Sequence, residues 1–173
     1  MKTMELGEFS RLYPIEEKIF IVPTRVIGSQ MINKITREGY PTLNLRAISL
    51  TRLAFEICQE YIIKKNKLII DNILGSNLIT QILKDSASQD ENFFFQEELI
   101  DTKTADEIYK VIMELKYAGL EKFPNIKDLD LIYEEYENRL EKLNAMDYHD
   151  VILKASQMER LKEYREKRIG IAY

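Results

Sequence analysis

The run Lys18-Ile-Phe-Ile-Val-Pro-Thr-Arg25 is the most informative part of this 173-residue chain for its fold. Its first five residues favour a buried β-strand, Pro23 closes that strand, and Thr24 stands where the N-cap of a helix is expected. Apolar residues then recur at helical spacing as far as Gly39. The stretch therefore predicts a strand, a tight turn and an amphipathic helix.

A second unit of the same kind follows directly. Residues 43–50 favour another strand, and apolar residues from Leu53 to Ile62 recur on one face of a helix that starts near Ser49. Two consecutive strand-helix units with short turns predict adjacent parallel strands, with the helices as right-handed crossovers. We therefore expect an α/β fold with a small parallel sheet over residues 1–66.

The pattern changes after residue 66. Residues 67–165 are predicted to be helical almost throughout, with a loop between Ser86 and Asn92, and residues 166–173 favour one more strand. Within the helical part, Leu131 to Ala155 predicts a helix, a short turn near Asn144 and a second helix that Asp147 caps. We expect an all-helical subdomain beside the sheet, followed by a strand that returns to the sheet.

Composition places the chain among ordinary globular proteins. It is 45% hydrophobic and 31% charged, and no apolar run approaches the ~20 residues that a membrane span needs. The N-terminus lacks the apolar core of a secretion signal, and the single cysteine, Cys58, has no partner for an internal disulfide. These features predict a cytoplasmic protein with no membrane partner.

The net charge of −4 conceals an asymmetry along the chain. Residues 1–70 contain 11 Lys and Arg and 7 Glu, a balance of +4, whereas residues 71–173 contain 14 basic and 22 acidic residues, a balance of −8. An anion-binding surface is therefore expected in the first part. Ordinary variation between solvated faces explains the same asymmetry and remains open.

No catalytic constellation is apparent in the sequence. None of the six glycines lies in a phosphate-binding P-loop. Asp71 follows an apolar run as a magnesium-binding aspartate would, but Asn72 stands where a catalytic glutamate is expected. His149 lies between Asp147 and Asp150, which are better explained as a helix cap and a dipole partner than as metal ligands. We predict no catalytic, cofactor-binding or metal-binding residue in this chain.

The two strand-to-helix turns are the better candidates for a site. In open parallel sheets, ligands bind at the carboxyl ends of the strands, where helix N-termini offer N–H groups to anions. Hydroxyl groups and arginines occur together in both turns, and we predict that they donate to DNA phosphates: Thr24, Arg25, Ser49, Thr51 and Arg52. The alternative is that the hydroxyls only cap helices and the arginines are solvated.

The aromatic run Phe93-Phe94-Phe95 also has two interpretations. Aromatic faces can stack on the bases of a single strand. No Lys or Arg is interleaved with these three residues, so packing in a core or against a partner domain is the interpretation that we favour.

Three segments of the chain resemble known helicase motifs. Ile19 to Arg25 resembles motif Ia of UvrD-like superfamily-one helicases and of the AddB/RexB subunit of bacterial ATP-dependent helicase-nucleases. Ala47 to Ala54 is similar to the motif that follows it, and Ala145 to Ile152 resembles the segment that ends subdomain 1B. The resemblance implies a partial helicase 1A-like region over 1–66, a 1B-like subdomain over 67–165 and, at 166–173, a truncated strand that returns to the first region.

The resemblance also implies a function. The Walker A strand and loop expected before Ile19 are absent, which favours the AddB-like branch: a non-catalytic region that binds or guides DNA in repair and recombination. The chain would then be an N-terminal fragment of a PD-(D/E)XK nuclease family protein that uses ATP and Mg²⁺ elsewhere. Its partners would be single-stranded DNA or a duplex end, a helicase partner subunit and the remaining domains of the parent protein.

Two alternatives to this function remain. One alternative is that the chain is a fragment of an active superfamily-one helicase. The other is that it is a scaffold that docks a helicase partner.

Overall fold

A computed structural model of the protein describes residues 6–89, 93–96, 100–120, 123, 126–158, 164 and 168–171. The helices and strands follow the order α1 (Leu6–Leu12), β1 (Lys18–Ile21), α2 (Arg25–Arg37), β2 (Leu45–Ile48), α3 (Leu50–Lys64), β3 (Leu68–Ile70), α4 (Asn72–Gln89), α5 (Thr102–Tyr117), α6 (Lys127–Lys142), β4 (Ala145–Asp147), α7 (Tyr148–Gln157) and β5 (Arg168–Ile171).

The chain is a mixed α/β protein with small parallel sheets. It divides into two compact units: residues 1–60 with residues 151–173, and residues 61–150. The predicted helicase-like limits, at residues 66 and 166, stay a prediction. In the part of the chain that the structure describes, no helix is both long enough and apolar enough to cross a membrane.

The first unit contains a three-stranded parallel sheet in the order β2-β1-β5. β1 pairs with β2 in a register that places Lys18 opposite Leu45, and β5 pairs along the other side of β1 with Arg168 opposite Lys18. The pairing of β1 with β2 confirms the predicted adjacent parallel strands. Since α2 connects these two strands, the N-termini of α2 and α3 follow the same edge of the sheet.

Lys18 anchors the amino end of β1. Its side chain is fully buried, and its ammonium group donates to the carbonyl oxygens of Tyr13, Glu16 and Leu43 at 2.6, 3.2 and 2.9 Å. A buried ammonium is costly unless its protons are hydrogen-bonded, and here backbone oxygens satisfy them. The segments before β1 and β2 are thereby tied to the start of the central strand.

The second unit has a core formed by α4, α5 and α6. Its buried side chains are largely aliphatic, with two tyrosines between them: Ile79, Ile82, Leu83, Ala105, Ile108, Tyr109, Ile112, Leu115, Ile132, Tyr136 and Leu140.

The predicted all-helical subdomain is wrong in one respect. β3 and β4 form a two-stranded parallel sheet within residues 61–150, with Leu68 opposite Ala145 and Ile70 opposite Asp147. Each strand has only three residues, too few for the alternating pattern that identifies a strand in a sequence. A strand therefore lies where the sequence predicted a simple turn between two helices.

Two asparagines set up this small sheet. Asn66 and Asn144 both have positive φ, 49° and 51°, in the left-handed region that asparagine tolerates better than most residues. The Asn144 amide donates to the carbonyl oxygens of Lys65 and Asn66, both at 3.0 Å. The ends of α3 and α6 are thus joined just before β3 and β4 begin.

Candidate nucleic-acid interface

The hydroxyl groups of both predicted turns cap helices. Thr24 has extended backbone and its side chain accepts from the N–H of Ile27 at 3.3 Å, which confirms it as the N-cap of α2. The Ser49 hydroxyl accepts from the N–H of Arg52, also at 3.3 Å, at the start of α3. Each cap satisfies one N–H group that the first helical turn leaves unpaired.

A close contact places the start of α2 against β2. A Cβ atom on Gly28 would lie 2.7 Å from the Cβ of Ala47 and 3.1 Å from Val22 Cγ2. Only glycine permits this approach without displacement of the helix or the strand. The side chain of Arg25, one turn earlier on α2, consequently comes near the carboxyl end of β2.

The two turns share one groove in the first unit. Its volume is about 640 Å³, and its lining includes Arg25, Ser49 and Arg52 from the predicted site. Thr24 and Thr51 are not among the lining residues. The structure therefore brings three of the five predicted residues together on one surface.

Sequence reasoning missed two charged residues of this groove. Arg46 of β2 and Glu56 of α3 both line it, and one Arg46 nitrogen lies 3.0 Å from each carboxylate oxygen of Glu56. Arg52 Nε lies 3.6 Å from the same carboxylate, and a second Arg46 nitrogen lies 3.9 Å from Glu17. The i,i+4 spacing of Arg52 and Glu56 was visible in the sequence, whereas the contact between strand and helix was not.

The charges of the groove do not cancel. Among the described residues, three arginines and one glutamate line it, an excess of two positive charges, and Glu17 lies outside this lining at 3.9 Å from Arg46. The hydrogen bond that Arg46 donates to Glu56 raises the pKa of Arg46, so this guanidinium stays charged. Arg25 is exposed and has no ion-pair partner among the described residues. The arrangement suits an anion with more than one negative charge.

The aspartates near His149 form a helix cap. The N–H of Asp150 donates to Asp147 Oδ1 at 2.9 Å, and the N–H of Asp147 donates to Asp150 Oδ2 at 3.2 Å. Oxygen and nitrogen atoms of these three residues lie within 4.8 Å of one another. However, the Lys116 ammonium lies 2.6 Å from Asp147 and 2.9 Å from Asp150, and this charge opposes a metal ion at the same place.

The other residues that the sequence singled out have structural roles. Asp71 Oδ1 accepts from the N–H of Leu74 at 2.9 Å and so caps α4. Cys58 is buried, its thiol contacts the carbonyl oxygen of Val151 at 3.4 Å, and burial raises its pKa.

Comparison with known proteins adds no family to these observations. No protein-family model matches the chain, and no curated protein is significantly similar to it. The function proposed below is therefore based on the geometry and charge of the groove.

Proposed function

We propose that this chain binds the phosphodiester backbone of DNA in the groove at the carboxyl ends of β1 and β2. One observation carries the proposal: Arg25, Arg46 and Arg52 line a single groove, and among the described residues that line it Glu56 is the only acidic one. The planar guanidinium group of arginine can donate two hydrogen bonds to the oxygens of one phosphate. Contacts with phosphates supply most of the affinity of sequence-independent DNA binding. The site has a binding role and no catalytic one.

The helix starts support the same ligand. The N-termini of α2 and α3 follow parallel strands, and each places partial positive charge at this edge of the sheet. Arg25 and Arg52 belong to the first turns of these helices, and the Arg52 side chain is 71% exposed. The described residues that line the groove include no aromatic side chain, so we expect backbone contacts without base stacking or sequence preference.

We further propose that the chain is the helicase-like N-terminal region of an AddB-like helicase-nuclease of DNA repair and recombination. The three motif-like segments support this proposal, and the first two of them contain the turns that form the groove. ATP and Mg²⁺ would act in other parts of the parent protein, with a helicase subunit as partner and the cytoplasm as location. The alternative is a fragment of an active superfamily-one helicase.

Binding of labelled single-stranded oligonucleotides at several salt concentrations tests the DNA proposal. Arg25→Ala with Arg52→Ala removes two charges from the groove, and the control, Arg37→Ala with Lys64→Ala, removes two from the opposite ends of the same helices. Each lost phosphate contact should reduce the slope of log K against log salt by about 0.7 for a single strand. We expect a slope smaller by roughly 1.4 for the first variant.

Equal affinity of the two double variants at low salt would overturn the assignment of DNA to this groove. Binding that changes with base sequence at constant length would contradict the backbone mode. Circular dichroism and thermal unfolding of both variants show whether the chain remains folded.

Docking of a helicase partner subunit is a second candidate function. The Phe94 side chain is 73% exposed, while Phe93 is buried in the core of the second unit. A large exposed aromatic residue is typical of protein interfaces. A chain with no measurable DNA affinity, whose capture of the helicase subunit is lost in Phe94→Ala, would support this candidate instead.

A further inference from the structure

In the groove, the carboxylate of Glu56 already lies beside two of the three arginines. One terminal nitrogen of Arg46 lies 3.0 Å from both Glu56 oxygens, and Arg52 Nε lies 3.6 Å from one of them. The Glu56 side chain is 24% exposed, and the side chains of Arg46 and Arg52 are 45% and 71% exposed. A planar anion therefore lies between two guanidinium groups at the position where a phosphate would be attracted.

Arg46 and Arg52 differ in how closely carboxylates contact them. One terminal nitrogen of Arg46 is held by Glu56 and the other lies 3.9 Å from Glu17, so a phosphate competes with carboxylates for this guanidinium. Arg52 lies farther from Glu56, with Nε 3.6 Å from one carboxylate oxygen, and its side chain is 71% exposed. Arg25 has neither contact among the residues described.

We propose that Glu56 is an intramolecular competitor of the DNA phosphate in this groove. It holds Arg46 in a carboxylate pair and reduces the positive charge that the ligand meets, so the wild-type groove binds DNA more weakly than its three arginines allow. Reversible binding is the expected consequence, because a released strand is at once replaced by the carboxylate. This inference rests on the proposed DNA-binding function.

Glu56→Gln tests the inference because glutamine keeps the length and one acceptor oxygen but removes the charge. Glu60→Gln is the matched control, since it removes the same charge one turn further along α3, outside the groove. We expect Glu56→Gln to bind a single-stranded oligonucleotide roughly five-fold more tightly at low salt. Its salt slope should be steeper than that of the wild type by about 0.7, since Arg46 becomes free to contact a phosphate.

A double-mutant comparison shows whether the gain in DNA affinity comes from the release of Arg46. In an Arg46→Ala background the released guanidinium is missing, so Glu56→Gln should tighten binding clearly less than it does in the wild type. Glu56→Asp keeps the charge, and its affinity should stay closer to that of the wild type than to that of Glu56→Gln.

The outcomes separate the two proposals. If the wild type binds DNA and Glu56→Gln binds equally or more weakly, then Glu56 holds the arginines in place for the ligand, and competition is overturned while the DNA-binding function stands. An equal gain from Glu60→Gln would also overturn it, because the effect would then be one of net charge. A wild-type chain without salt-sensitive DNA affinity removes both proposals.

Discussion

Lys116 Nζ lies 2.6 Å from Asp147 Oδ2, and both side chains are buried in the second unit. Asp150 and Glu137 complete the surroundings of the ammonium at 2.9 and 2.8 Å. One lysine thus ties the last turn of α5 to α6, to the end of β4 and to the first turn of α7. Three carboxylates around one ammonium leave the cluster with a net negative charge.

Lys116→Met should destabilise the second unit strongly. The substitution leaves Asp147 buried without its cation, and loss of one partner of a buried ion pair typically costs roughly 3–5 kcal/mol. Urea unfolding followed by circular dichroism measures the change. Asp147→Asn in the same chain should recover part of the loss, because asparagine can still cap α7 without a buried charge.

Lys110→Met is the matched control for this prediction. Lys110 lies on the same helix and pairs with Glu107, but the two side chains are 63% and 61% exposed. Exposed pairs contribute little, so a change within about 0.5 kcal/mol is expected. Equal losses for the two lysine variants would show that the Lys116 cluster does not stabilise the fold.

Stability should fall above about pH 10. Burial raises the pKa of Tyr109 to about 12. Burial alone would lower the pKa of Lys116, but Asp147 and Asp150 outweigh it and raise that pKa above its ordinary value. Both groups hold their protons more tightly in the folded chain than in the unfolded one, so the folded state binds more protons in alkaline solution and loses stability as pH rises.

Urea midpoints between about pH 8 and pH 12 measure this alkaline loss. Tyr109→Phe removes one of the two groups, so its stability should decline less steeply with pH than that of the wild type. A midpoint that stays constant through this range would contradict the predicted protonation of Tyr109 and Lys116.

Gly75→Ala should destabilise the chain although alanine favours helices. A Cβ atom on Gly75 of α4 would lie 2.3 Å from Tyr109 Cε2 of α5. At an exposed helical position this exchange stabilises by about 1 kcal/mol, whereas overpacking between two helices costs roughly 1–3 kcal/mol. Asn77→Ala, at an exposed position of the same helix, should leave stability nearly unchanged or raise it. A Gly75→Ala chain more stable than the wild type would show that α4 and α5 are not so closely packed.

Several features of the fold could be predicted because their causes are local. The apolar run of β1, the Thr24 cap and the Asp147–Asp150 cap depend on residues within a few positions of one another. The parallel pairing of β1 with β2 followed from the short strand-helix-strand connection. The pairing of β3 with β4 could not be predicted, because strands of three residues have no readable period and the described residues between them include the whole of α4, α5 and α6.

The candidate site could be predicted only in part. The carboxyl ends of adjacent parallel strands meet at one edge, so the order of the strands and helices was enough to predict that Arg25, Ser49 and Arg52 lie near one another. The role of Arg46 was not visible, since its contact with Glu56 joins a strand to a helix and depends on how α3 packs beside β2. That contact changes the proposal from a simple basic groove to one with its own competing carboxylate.

Local sequence was sufficient to specify the α/β class of the first sixty residues, the caps of α2 and α7 and the unequal distribution of charge along the chain. These properties depend on neighbouring residues, whose spacing is set by the covalent chain. Which charges meet is a property of the tertiary structure alone. Ion pairing requires contact within about 4 Å, and only folding brings Lys116 to Asp147 and Arg46 to Glu56.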